Sequence, residues 1–238
     1  MYNGKKKAIT FSYDDGVTQD IRLIEILDKY GLKCTFNLNS ELLGSRGTLI
    51  REGVKVNHTK NNINEIAEIY KNHEIASHTL THPCLLDLTD AEVIRQVEED
   101  RIALEKISGK QVFGMAYPGG GTNFNRHIAE LIKENTGIKY ARTILSSYNF
   151  DLQEDLFAFK PTVYHYADWD QMIELGKSFI QLKTETPKLL YIWGHSYEFD
   201  INNSWSEFEK FCQMISGKDD IFYGTNSEVL LSDQTNYL

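Results

Sequence analysis

The stretch from Thr10 to Gly16, Thr-Phe-Ser-Tyr-Asp-Asp-Gly, constrains this chain more than any other. A run of residues typical of a buried strand ends there in two adjacent aspartates and a glycine. Two neighbouring carboxylates raise each other's pKa unless a cation or a shared proton relieves them. If Asp15 gives an oxygen to a divalent ion, Asp14 stays beside it as a base. The alternative is an acidic surface turn, because Asp-Gly is a common turn signal.

A second stretch, from His73 to Pro83, supplies two histidines four residues apart. One turn of helix-like backbone would place the imidazoles of His78 and His82 on the same side, and neutral imidazole is a common ligand of zinc-type ions. Pro83 disfavours a helical conformation at His82, so we expect a single turn after a strand end. A lone histidine pair is usually structural. Together with Asp15, however, the pair makes a three-ligand site with room for water, which is the arrangement that catalysis requires.

These two motifs resemble the first and second motifs of the NodB-type polysaccharide deacetylases, carbohydrate esterase family 4. The resemblance implies a metal-dependent hydrolase that removes acetyl groups from an N- or O-acetylated carbohydrate. It implies that Asp14 is the base and that Asp15, His78 and His82 hold the metal, with a water on the metal as nucleophile. The ion expected is zinc, with cobalt, nickel or manganese as other options.

A third histidine ends the hydrophobic stretch from Leu189 to Gly194. His195 resembles the histidine of the family's fifth motif, which acts as general acid, and a side chain with a near-neutral pKa suits that role. The alternative is a buried, hydrogen-bonded histidine with no part in catalysis. Glu198 follows three residues later, where it either tunes His195 or lies in solvent.

The third motif departs from the family pattern. Many members carry an arginine two residues before the proline, where it pairs with the catalytic aspartate, but this chain has Ala116 there. The orientation and the pKa of Asp14 are therefore not explained by this motif. The residues that follow, Tyr117, Pro118 and Gly119, are predicted to face the substrate. The backbone N–H of Gly119 can complete an oxyanion hole, because a main-chain donor does not depend on the arginine.

The fourth motif of the family is an aspartate–tryptophan pair that supports the general acid and walls the substrate groove. Asp168 and Trp169 are the candidates here. The alternative for Asp168 is a plain helix N-cap.

Strand-like and helix-like segments alternate along the 238 residues, with no internal repeat or linker. This pattern predicts a single α/β domain spanning residues 1–238, with an irregular insertion at about 39–62. About seven or eight strands interleaved with helices favour a closed or nearly closed parallel barrel, in which catalytic groups follow the strand ends. The family resemblance implies more specifically a distorted (β/α)7 barrel.

The net charge of −9, from 25 basic and 34 acidic residues, argues against nucleic acid and anionic membranes as partners. A neutral or cationic substrate is expected instead. The three cysteines make no disulfide framework. No stretch reaches membrane-spanning length and no apolar signal core precedes the first strand, so we expect a cytoplasmic protein, or an extracellular one whose leader has been removed.

Two other functions stay open. The same site could act as a metal-dependent amidase on a small non-peptide C–N bond, since the missing arginine could accompany a change of substrate. Alternatively, the chain could be a non-catalytic carbohydrate-binding barrel, and the missing arginine gives that reading some weight.

Overall fold

The sheet of this protein is built around one long strand. A computed structural model describes residues 1–232, and β1, Lys7–Asp14, is buried along its whole length. Its side chains alternate between two faces, as in any strand. Phe11 and Tyr13 belong to the main hydrophobic core, whereas Ser12 and Asp14 take part in a buried polar network on the opposite side. The alternation of apolar and polar residues in the first motif thus directs the catalytic candidate away from that core.

The remaining strands extend this sheet on both sides. Its order is β7-β6-β5-β2-β1-β9-β8, with β10 paired to β1 beside β2, and all these pairings are parallel. Backbone hydrogen bonds between β7 and Phe159 nearly close the curled sheet, with Phe159 N donating to the Ala141 carbonyl at 3.1 Å. The predicted parallel α/β barrel is confirmed. The strands are β2 (Cys34–Leu38), β5 (Glu74–Ser77), β6 (Gly114–Ala116), β7 (Tyr140–Arg142), β8 (Val163–Tyr164), β9 (Lys188–Gly194) and β10 (Ile221–Tyr223).

Helices cover the outside of the sheet and bury their apolar faces against it. The Thr89 hydroxyl caps the helix that follows it by accepting a hydrogen bond from Glu92 N. The side chain of Ser204 makes no such cap on the helix that follows it. Within residues 1–232, no helix is long and apolar enough to cross a membrane. The helices are α1 (Asp20–Lys29), α2 (Ile66–Ile69), α3 (Asp90–Ser108), α4 (Arg126–Asn135), α5 (Trp169–Gln181), α6 (Glu198–Asn202), α7 (Trp205–Ile215) and α8 (Asn226–Leu230).

The segment 39–62 is more regular than predicted. It contains an antiparallel hairpin of β3, Thr48–Arg51, and β4, Val54–Asn57. Glu52 and Gly53 form the turn with φ values of 51° and 80°, as the favoured two-residue hairpin turn requires. A glutamate at the first turn position is a weak hairpin signal compared with asparagine, which explains why the sequence pattern did not indicate this hairpin.

Candidate metal and catalytic site

The three predicted metal ligands lie together at the carboxyl ends of neighbouring strands. Asp15 follows β1, His78 follows β5, and His82 lies one turn further on. One ligand atom from each residue lies within 4.8 Å of the others, and His82 Nε2 is 3.9 Å from Asp15 Oδ1. Parallel strands end at the same edge of a sheet, so residues far apart in sequence meet there.

The backbone around the ligands adopts an uncommon conformation. Asp15, Thr79 and His82 have φ values of 83°, 69° and 60°, in the left-handed region that residues other than glycine rarely occupy. The turn is held by hydrogen bonds: Asn39 Nδ2 donates to the Thr79 carbonyl at 2.9 Å, and His82 N donates to Thr79 Oγ1 at 3.1 Å. Such conformations persist where surrounding contacts fix them, and they cluster at functional sites.

Both histidines are in the chemical form that binds metal. His78 Nδ1 donates to the Ala116 carbonyl at 2.9 Å, which leaves Nε2 as the atom with a free lone pair. Burial lowers the pKa of His78 to about 4 and also lowers the pKa of His82. Two neutral imidazoles and one carboxylate fit a divalent ion of the zinc type, and three protein ligands leave a coordination position open.

Two basic side chains that the sequence did not indicate also contact Asp15. Lys60 Nζ is 3.1 Å from Oδ1, and His58 Nε2 is 3.2 Å from Oδ2. Burial by itself raises the pKa of Asp15, but the hydrogen bond from His58 and the charge of Lys60 reverse that effect, so the pKa lies well below its usual value. Both residues follow β4, in the segment predicted to be irregular. No pattern in the neighbouring sequence indicates that they contact Asp15 at the end of β1.

Asp14 is fixed by an arginine from another strand. Arg142 Nη2 donates to both carboxylate oxygens, at 2.6 and 2.5 Å, and Asn37 Nδ2 donates to Oδ1 at 2.7 Å. Burial raises the pKa of Asp14, but the charge and hydrogen bond of Arg142, together with the charges of His78 and His195, reverse that effect, so the pKa lies below its usual value. Asp14 is therefore ionised at neutral pH, as a base must be.

Arg142 supplies the contact that the third motif does not. Ala116 on β6 and Arg142 on β7 are direct register partners, so the arginine comes from the adjacent strand at the same level of the sheet. A single arginine within the strand-like run from Ile138 to Ile144 is the signal that could have revealed it. An arginine in a buried strand needs a carboxylate partner, and Asp14 is that partner.

His195 is paired with Glu198, which is fully buried. The ring Nδ1 donates to Glu198 Oε1 at 3.0 Å, and the His195 backbone N–H donates to Oε2 at 2.9 Å. Tyr164 and Arg51 also donate to Oε1, and His165 Nε2 lies 3.4 Å from Oε2. Burial lowers the pKa of His195, but the charge and hydrogen bond of Glu198, together with the charges of Asp15 and Asp14, reverse that effect and raise the pKa to about 8. The imidazole can therefore carry a proton at neutral pH.

The third-motif loop places Gly119 at the same cavity. Asn123 Nδ2 donates to the carbonyls of Tyr117, Pro118 and Gly119 at 3.1, 3.1 and 2.9 Å, so one side chain fixes the loop. The backbone N–H of Gly119 has no hydrogen-bond partner within residues 1–232. It is a free donor of the kind that an oxyanion hole needs.

Comparison with known proteins shows which family the chain belongs to. The sequence profile described as polysaccharide deacetylase matches residues 2–141, which is more than half of the chain. The chain belongs to the polysaccharide deacetylase family. It is 29% identical over 120 residues to a chitooligosaccharide deacetylase of Rhizobium leguminosarum bv. phaseoli, a match that covers 49% of this chain and 42% of that relative. The chain thus spans less than half the length of this curated relative.

Solved structures share the fold of this polysaccharide deacetylase family member. The Xyl-CE4 domain of a multidomain xylanase from the hindgut metagenome of Trinervitermes trinervoides has a TM-score of 0.61 and 15% identity, covering 97% of this chain and 92% of that chain. A pseudoenzyme of the CE4 family from Bacillus anthracis has a TM-score of 0.54 and 17% identity, covering 94% and 66%. At these identities the similarity concerns the fold.

In this family member, the predicted fourth-motif pair lies away from His195. Asp168 accepts hydrogen bonds from Tyr148 at 2.9 Å and Ser146 at 3.4 Å, whereas the carboxylate at His195 belongs to Glu198. Trp169 packs against the main core, with its ring centroid 6.3 Å from that of His165. Trp169 is therefore linked to the general-acid candidate through His165, which in turn contacts Glu198.

The site residues open into a cavity of about 650 Å³. Trp193 and Tyr164 stack in its wall with ring centroids 4.2 Å apart, and Tyr117 and Tyr197 also line it. Flat aromatic faces of this kind suit a sugar ring. Two other aromatic residues near His195 in the sequence, Phe199 and Trp205, belong instead to the main core.

Proposed function

We propose that this protein is a metal-dependent hydrolase that removes acetyl groups from an N- or O-acetylated carbohydrate. One observation carries the proposal: an ionised Asp14 lies beside the group of Asp15, His78 and His82, and His195 opens into the same cavity. Base, ligand set and acid are the parts that hydrolysis of an amide or ester requires. Family membership supports the substrate class.

The ligand set supports zinc, or cobalt, nickel or manganese, as the ion. Bound there, the ion would polarise the acetyl carbonyl and activate the attacking water. The Asp14 carboxylate would accept a proton from the attacking water, and its Oδ2 lies 4.0 Å from Nε2 of His78. Arg142 keeps Asp14 ionised and oriented for this transfer.

The remaining groups act on the substrate. The Gly119 N–H donates to the oxygen of the tetrahedral intermediate, where negative charge develops. His195 holds its Nδ1 proton against Glu198, so Nε2 is the atom that delivers a proton to the leaving nitrogen or oxygen. The acetyl C–N or C–O bond then breaks, and the amine or alcohol leaves neutral.

The test is acetate release from acetylated oligosaccharides before and after metal removal. A chelator should abolish release, and zinc or cobalt should restore it. Asp14→Asn should keep the metal yet lower turnover by about 100-fold or more, because the base is lost. Asp87→Asn, at an exposed residue outside the cavity, is the matched control.

Three outcomes would contradict the proposal. Turnover that survives chelation argues against a metal-dependent reaction. Hydrolysis of small cyclic amides or formamides, with none of acetylated sugars, favours the amidase alternative. Carbohydrate binding without acetate release in the zinc-loaded protein, unchanged by Asp14→Asn, favours the non-catalytic barrel.

A further inference from the structure

Each buried carboxylate at the cavity already has its own cation. The distances from Asp14 to Arg142 and from Asp15 to Lys60 are 2.5 and 3.1 Å, and the side chain of Lys60 is only 5% exposed. Arg51 reaches from the hairpin to the third carboxylate, Glu198. The three negative charges are therefore balanced before any metal binds. Lys60 in particular already neutralises the carboxylate of Asp15, the acidic member of the candidate ligand set.

One further cationic side chain at the cavity has no carboxylate partner within residues 1–232. Arg46 lines the cavity, and within residues 1–232 its side chain makes no ion pair, hydrogen bond or ring contact. Its backbone is nonetheless fixed on both sides, because Lys60 N donates to the Ser45 carbonyl and His58 N donates to the Gly47 carbonyl, each at 2.9 Å. Arg46 is thus an unpaired charge on an ordered loop.

The charge of the cavity is the reverse of the charge of the chain. The acidic residues that line the described cavity are Asp14 and Asp15, and both are paired. A divalent ion at Asp15 would add positive charge, and no unpaired carboxylate lines the described cavity to balance it. Arg46 adds a further positive charge. Clefts that carry one sign of charge attract ligands of the opposite sign, whatever the net charge of the protein.

We propose that the carbohydrate bound in this cavity is anionic, with a carboxylate on or next to the acetylated sugar, and that Arg46 binds this carboxylate. The planar guanidinium suits a two-point contact with a carboxylate. That the ligand carries an acetyl group rests on the proposed deacetylase function. That the ligand is negatively charged does not rest on it. It replaces the neutral or cationic substrate expected from the net charge of −9.

The experiment compares two tetrasaccharides by calorimetry. One contains only N-acetylglucosamine and is neutral, and the other alternates N-acetylglucosamine with glucuronate. Chelator-treated protein is used first, so that turnover does not consume the ligand. At low salt the anionic ligand should bind about fivefold more tightly or better, and high salt should reduce the difference. Arg46→Gln should remove most of it and leave the affinity for the neutral ligand within about twofold.

The control variant is Lys55→Gln, because Lys55 is an exposed cation of the hairpin that follows Arg46 and does not line the cavity. It should change neither affinity. Three results would overturn the inference. The neutral ligand could bind equally well or more tightly, or Arg46→Gln could weaken the binding of both ligands equally. The third is that neither the metal-free nor the zinc-loaded protein binds the anionic ligand. Acetate release by the zinc-loaded protein is scored separately. Its absence counts against the deacetylase proposal, whereas the affinities alone decide the charge of the ligand.

Discussion

At the scale of single residues, the pair of Asp14 and Arg142 is the most consequential contact of the site. Both side chains are almost completely buried, at 3% and 0% exposure. Removing one partner of a buried ion pair leaves the other charge uncompensated, which costs about 3–5 kcal/mol. We expect Arg142→Gln to lower the free energy of unfolding by about that amount and to reduce turnover as well. Urea unfolding and steady-state kinetics measure the two effects.

Moving the arginine back to the third motif provides the matching test. Because Ala116 and Arg142 are register partners, the double variant Ala116→Arg, Arg142→Ala places a guanidinium on the neighbouring strand at the same level. This variant should recover part of the stability and turnover that Arg142→Ala alone loses. If the single and double variants are equally impaired, the position of Arg142 on β7 matters beyond its charge, and the proposed equivalence of the two positions is wrong.

The pKa of His195 predicts how the reaction depends on pH. The general acid must carry its proton, and the pKa is raised to about 8, so turnover should fall as pH rises through about 8. Replacing Glu198 by glutamine removes the negative charge that raises this pKa. Glu198→Gln should therefore shift the alkaline fall of the pH–rate profile to lower pH. If turnover in this variant falls at the same alkaline pH as in the native protein, His195 is not the general acid.

At the scale of secondary-structure elements, Arg51 links the hairpin of β3 and β4 to the site. Arg51 pairs with Glu198, its Nη2 donates to the Tyr164 hydroxyl at 2.8 Å, and its guanidinium lies 4.3 Å from the ring centre of Tyr166. We expect Arg51→Gln to speed amide hydrogen exchange in residues 48–57 while β1 keeps its protection, because local openings depend on local contacts. Lys55→Gln is the control. Unchanged exchange in the hairpin would show that other contacts hold it.

The sequence predicted those parts of the site that depend on local patterns. Asp14, Asp15 and His78 directly follow or end buried strands, and the parallel topology then brings them to one edge. Arg142 and Lys60 could not be found in this way. Their roles depend on which strands become neighbours and on where the hairpin folds, and neither is encoded within a few residues of them.

At the scale of the whole molecule, Asp20 connects three separate parts of the fold. It begins α1, and its carboxylate accepts hydrogen bonds from Ser196 at 2.5 Å, just after β9, and from Tyr70 at 2.7 Å, just after α2. Burial raises its pKa from 3.8 to about 7, because these hydrogen bonds only partly offset the cost of burying the charge. Asp20 is therefore protonated in the folded protein under mildly acidic conditions, whereas it is ionised in the unfolded chain.

This difference fixes the sign of a pH effect on stability. Between about pH 4 and pH 7 the folded state binds one more proton at Asp20 than the unfolded state, so its contribution to stability falls as pH rises and is constant above about pH 7. Asp20→Asn cannot ionise. The stability of the native protein relative to this variant should thus decrease by about 2 kcal/mol between about pH 5 and pH 8, measured by urea unfolding.

Comparison with the variant cancels the other titrating groups, such as Glu198 and His195, because both proteins contain them. An equal pH dependence in the two proteins would mean that Asp20 is ionised in the fold throughout this range. Its hydrogen bonds to Ser196 and Tyr70 would then stabilise a charge rather than a neutral acid, and Asp20→Asn should destabilise the protein by the same amount throughout this range. The presence or absence of the decrease between about pH 5 and pH 8 therefore decides between the two states of this carboxyl group.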